Sequence, residues 1–174
     1  FDKDSKGMMI GEGIGMVVLK RLADAERDGD RIYAVVKGVG TSSDGKFKSI
    51  YAPRSGGQAK ALRRAYADAD IDRLSIGLLE AHGTGTAAGD SAEFDGLKEV
   101  FTEDTLAKSG YPDFQHIALG SIKSQIGHTK AAAGIAGLIK TALSLHHKIL
   151  PPSINIDHPS KKLGIKKTPF YLNT

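Results

Sequence analysis

An apolar run at residues 74–80 passes without a break into Ala81-His-Gly-Thr-Gly-Thr-Ala-Ala-Gly-Asp90, and a helix-forming stretch follows at about 91–101. A strand that feeds a glycine-rich turn and then a helix is the unit from which layered α/β folds are built. The same alternation runs through most of the chain. Residues 14–20 are apolar and β-branched, as a buried strand requires, and 21–28 read as a short helix ended by Gly29. Residues 31–38 predict a second strand. A Gly-, Ser- and Asp-rich loop spans 39–57, and a helix follows at 58–68 with Ala61, Leu62, Ala65 and Tyr66 on one face. Asp90 with Glu93 forms an acidic version of the capping box, which starts the next helix near Ser91. A polar stretch at 102–113 precedes a strand at 117–121 and a turn at 124–128. An Ala/Gly-rich helix at 130–146 is stopped by Pro151-Pro152, and a last strand begins at Phe170. The fold class is therefore α/β, with a largely buried sheet.

Composition narrows the function classes. A length of 174 residues, 40% of them hydrophobic, suits one domain with a sizeable core. The longest apolar candidate, 131–145, is interrupted by Lys140, Thr141 and Ser144, so it predicts a buried helix and no membrane span. The net charge of +4 is scattered except for Lys161, Lys162, Lys166 and Lys167, which form a solvated face or a docking patch for an acidic partner. No aromatics interleave with the basic residues, which argues against nucleic-acid binding. Cysteine is absent, which excludes a disulfide or thiolate metal site within these residues and fits a cytoplasmic origin. The chain opens at Phe1-Asp2 and closes in a strand-like segment, so it reads as a fragment cut at both ends.

Several short motifs carry little chemistry. Gly11-Glu-Gly-Ile-Gly15 precedes a strand, whereas a dinucleotide fingerprint follows one, so tight strand packing is the expected role. Ser43-Asp-Gly-Lys46 has the S-x-x-K spacing of penicillin-recognising enzymes but sits in a turn, and no G-x-S-x-G elbow occurs. The six histidines show no helical i, i+4 pairing with an acidic ligand set, so no metal site is expected. His146 and His147 close a helix, and His116 and His158 read as surface residues.

Two histidines stand apart. His82 lies at the carboxyl end of an apolar strand, where ligands bind in open α/β sheets. It serves there either as a structural hydrogen-bonder or as a functional group. The glycines beside it allow a close approach, and the hydroxyls of Thr84 and Thr86 can hold amide or phosphate groups. His128 follows Gly120-Ser-Ile-Lys-Ser-Gln-Ile-Gly127 and precedes a helix start, whose positive end disfavours protonation. A neutral imidazole donor can stabilise an enolate or oxyanion. Lys123 could fix its tautomer or supply positive charge.

Together, Glu80-Ala-His-Gly-Thr-Gly-Thr86 and Gly120-Ser-Ile-Lys-Ser-Gln-Ile-Gly-His128 resemble the two histidine signatures of β-ketoacyl synthases. Gly11-Glu-Gly with Lys20-Arg-Leu, the loop from Asp44-Gly to Ala52-Pro53, Gly89-Asp90 with Glu93, and Leu150-Pro-Pro-Ser extend the likeness over nearly the whole chain. Within that family the sequence is most similar to bacterial polyunsaturated fatty acid synthases and to type I polyketide synthases. Lys130 stands where related polyketide enzymes often carry Glu.

The resemblance implies a thiolase-like layered fold, α-β-α-β-α in the complete enzyme, of which residues 1–174 form most of the second half. It implies a homodimer with no metal or redox cofactor. The partners would be acyl carrier protein and the malonyl and acyl thioesters borne on its phosphopantetheine arm. The implied catalytic residues are His82 and His128, with Lys123 orienting His128 and with Thr84 and Thr86 holding the arm. The nucleophilic Cys of the family lies in the first half, so these residues alone would not condense acyl groups. Two alternatives remain: a non-condensing protein resembling a chain-length factor, and a non-enzymatic carrier-docking scaffold.

Overall fold

The computed structural model describes residues 1–46, 52–107 and 115–174. Three short parallel strands form its sheet, in the order β1 (Leu78–Glu80), β2 (Ile117–Gly120), β3 (Phe170–Leu172). Every residue of β2 is buried, as expected for the middle strand of a parallel sheet covered by helices. The register pairs Glu80 with Gly120, so the chain leaves β1 and β2 at the same edge. The helices are α1 (Leu22–Asp28), α2 (Ser55–Ala69), α3 (Ala87–Ala107), α4 (Lys123–Ile126) and α5 (Ala133–His147). This is the mixed α/β arrangement expected from the alternation of strand and helix patterns.

The core explains why α3 lies where it does. Phe94, Leu97, Val100 and Phe101 recur at helical spacing and are all buried, forming one apolar stripe. That stripe meets Ala59, Leu62 and Tyr66 from α2, and Ile117, Leu119 and Phe170 from the sheet. Phe101 packs edge-on against Tyr66 and Phe170, with ring centroids 5.7 and 5.0 Å away. The two helices approach closely at Gly96, where a Cβ would stand 3.0 Å from the Ser55 carbonyl oxygen.

Several sequence expectations need correction. Residues 14–20 and 31–38 form no strand among the described residues. The first run is exposed, Ile14 by 93% and Val18 by 96%. A strand exists only through ladder hydrogen bonds, which apolar β-branched composition does not supply. Helix α2 starts at Ser55, ahead of the expected 58, and takes the end of the expected loop; the loop's residues 47–51 lie outside the described residues, as do 108–113 of the polar stretch. The expected strand at 74–80 is confined to its last three residues, because Arg73–Ser75 turn as a 3-10 helix in which the Asp72 carboxylate accepts the Leu74 N–H. The helix expected from 130 opens as a 3-10 turn over Lys130–Ala132 before α5.

Candidate active site

The site is built where the sheet edge and two turns converge. Beyond β1 the chain enters Ala81-His82, and the Ala81 N–H donates to the Gly120 carbonyl, 2.7 Å, continuing the ladder one step. Gly83 then turns with φ +45°, a conformation that favours glycine, and a Cβ there would lie 2.8 Å from that of Ser121. Beyond β2 the chain passes through Ser121 and Ile122 into α4, which carries Lys123, and Gly127 turns it into His128.

The two imidazoles meet at this edge, with ring centroids 5.4 Å apart and planes crossing at 89°. His128 is fixed at three points. Its N–H donates to the Met9 carbonyl (2.7 Å), its own carbonyl accepts the Gly11 N–H (3.1 Å), and its Nδ1 accepts the Lys130 N–H (3.1 Å). An Nδ1 that accepts carries no proton, so in the neutral ring Nε2 is the protonated nitrogen and the available donor. The tautomer is therefore set by the Lys130 main chain, and Lys123 acts on both rings through its charge. The Gly11 motif packs closely but belongs to no strand among the described residues: a Cβ at Gly11 would collide with the Ile126 carbonyl oxygen at the end of α4.

Electrostatics favour the neutral form of both rings. Burial pushes His82 below the usual imidazole range, and the Lys123 ammonium pushes the same way against the opposing pull of Asp90. His128 is lowered by burial first, then by Lys123, His82 and Lys130. These causes act in the same direction as the helix start expected after His128, which opens at Lys130 as a 3-10 turn leading into α5. Lys123 is itself lowered by burial, while Glu80 and Glu93 favour its charge.

The acidic residues of the motif act differently from a capping box. Thr86 caps α3, its hydroxyl accepting the Gly89 N–H at 3.2 Å. Asp90 accepts the Gly85 N–H, and the Glu93 carboxylate turns back to accept the N–H groups of His82 (2.6 Å) and Gly83 (2.8 Å). Glu93 therefore fixes the His82 turn, a role its position alone does not disclose. Burial raises its pKa while those two N–H bonds and Lys123 oppose the rise. The Thr84 and Thr86 hydroxyls lie 3.1 Å from one another, so both threonines are brought together beside His82.

A cleft of about 570 Å³ is lined by Gly83, Thr84, Gly85, Lys123 and His128 among others. Among the described residues no cluster of three His, Cys, Asp or Glu could hold a metal ion, and no helix is long and apolar enough to cross a membrane. His116 is not the surface residue expected: it is half-buried, with its Nε2 2.8 Å from the Leu74 carbonyl oxygen.

The sheet edge thus presents two facing imidazoles, with the charge of Lys123 acting on both. The family model of the β-ketoacyl synthase C-terminal domain matches residues 33–157. A polyunsaturated fatty acid synthase from a Thraustochytrium species is 48% identical over all of this chain, which spans 6% of that relative's length. Among solved structures, the module 1 ketosynthase of the bacillaene synthase from Bacillus amyloliquefaciens superposes with a TM-score of 0.91 at 38% identity, covering 99% of this chain and 32% of that one. The ishigamide ketosynthase/chain length factor superposes at 0.82 with 33% identity, covering 99% and 38%. The fold is thus the second half of a thiolase-like fold, as expected. The chain belongs to the β-ketoacyl synthase family, as the C-terminal domain found in polyunsaturated fatty acid and polyketide synthases.

Proposed function

We propose that these residues supply the malonyl half of a β-ketoacyl synthase active site, which carries out decarboxylative Claisen condensation on carrier-bound thioesters. The observation that supports this most directly is the His82–His128 pair, 5.4 Å apart and crossed, with the Nε2–H tautomer of His128 fixed by the Lys130 main chain. Loss of carbon dioxide from a malonyl thioester leaves an enolate whose negative charge sits on the thioester oxygen. Two neutral imidazoles can each donate to that oxygen, and donors aimed where charge develops contribute about 3–4 kcal/mol each. The enolate carbon then attacks an acyl thioester on a cysteine carried elsewhere in the parent protein, and the thiolate leaves. Thr84 and Thr86 lie where they could hold the phosphopantetheine arm, and acyl carrier protein is the partner that brings it. No bound metal or redox cofactor enters this reaction, and the parent would work as a cytoplasmic homodimer.

The test is to give the full-length parent malonyl-carrier protein and an acyl thioester. Release of carbon dioxide with formation of a ketoacyl product is expected. The 174-residue chain by itself should give no product, since it has no thiol. A parent that binds carrier protein but releases no carbon dioxide would point to the chain-length-factor or scaffold alternative.

The pH dependence has a definite sign. The working form of each imidazole is neutral, and both are lowered from the ordinary value, so decarboxylation should persist below the pH at which a free imidazole protonates. Lys123→Met removes one of the lowering causes from both rings. The acid limb of the rate profile should then move to higher pH. A limb that stays in place would exclude Lys123 from the electrostatics of the site.

A further inference from the structure

Glu80 ends β1, and its side chain reaches two other elements. Oε2 accepts from Lys140 Nζ on α5 at 2.8 Å, and Oε1 accepts the Ile122 N–H at 2.5 Å. The ion pair is largely buried, at 12% exposure for Glu80 and 6% for Lys140. Glycine makes room for it: a Cβ at Gly137 would stand 3.1 Å from Glu80 Cγ, and one at Gly120 would meet Ser153 Oγ at 2.6 Å and Lys140 Nζ at 3.5 Å. A buried pair is a poor source of stability, because removing two charges from water offsets most of their attraction. Its location accounts for it better. Glu80 stands two residues before His82, and Ile122 stands immediately before Lys123.

We propose that Glu80 is a positioning residue: clamped by Lys140, its carboxylate holds the Ile122–Lys123 turn in register with the strand that delivers His82. The inference rests on the decarboxylation reading and deepens it. Neither Glu80 nor Lys140 need touch substrate, since the carboxylate acts through the backbone at Ile122.

The test uses malonyl-carrier decarboxylation by the full-length parent. E80L/K140M removes both charges and the acceptor at similar volume, and kcat should fall by about tenfold to a hundredfold with KM held within about twofold, as for a misplaced catalytic group. E80Q/K140M also removes the ion pair but keeps an amide oxygen for the Ile122 N–H, so it should retain kcat within about threefold. Equal losses in the two variants, or an unchanged kcat in E80L/K140M, would overturn the proposal. Should E80L/K140M fail to fold, E80D decides: both charges stay while the carboxylate falls one methylene short, and a wild-type kcat there overturns the positioning role. A wild-type parent without decarboxylation removes the functional reading and this inference together. An active wild type with an indifferent E80L/K140M removes only the inference.

Discussion

His128→Ala in the full-length parent is expected to lower malonyl decarboxylation by about a hundredfold to a thousandfold, the usual cost of removing one preorganised oxyanion donor. The size of the effect follows from how firmly the ring is held. Its main chain is bonded on both sides to the Met9–Gly11 segment, and its Nδ1 is occupied by the Lys130 N–H. The Nε2–H therefore needs little reorganisation when charge appears on the thioester oxygen. His82→Ala should act in the same sense, through a ring set by a turn that Glu93 holds at two N–H groups. Because the two donors serve one oxygen, the double variant should lose less than the product of the single losses. Retention of wild-type decarboxylation in both single variants would remove the enolate role from this edge of the sheet.

Phe101→Ala carries the largest expected stability effect. The ring is wholly buried and packs against Tyr66 on α2 and Phe170 on β3, so it joins two helices to the sheet. Deleting it should cost about 3–5 kcal/mol, the transfer term plus the cavity left behind. Denaturant unfolding of the parent ketosynthase should show a lower midpoint at an unchanged slope. A midpoint within error of the wild type would mean that α3 is held by something other than its apolar stripe.

The alternation of strands and helices is legible in the sequence because it rests on local patterns, and so are the sites of His82, in a glycine-rich turn after β1, and His128, after the glycine that ends α4. Residues 14–20 show the limit of such patterns. Their composition is that of a strand, but a strand is a relation between two segments, and no described residue supplies the second. Glu93 meets a related limit. Its spacing from Asp90 fits a helix cap, yet its carboxylate bonds eleven residues back, to the His82 N–H. The link between Glu80 and Lys140 spans sixty residues, a distance over which no periodicity operates. Thr86 has a second part that its setting in the sequence does not disclose: its hydroxyl accepts the Gly89 N–H at the start of α3.

The pairing of Glu80 with Gly120 across two parallel strands has a practical consequence. The two histidine segments are tied together by ladder hydrogen bonds, and the crossover between them adds the Glu93 carboxylate, which holds the His82 and Gly83 N–H groups. Lengthening the crossover after α3, where none of these bonds is made, should therefore leave the facing imidazoles undisturbed. A slip of one residue between β1 and β2 would displace one segment by about 3.3 Å and turn its side chains to the opposite face.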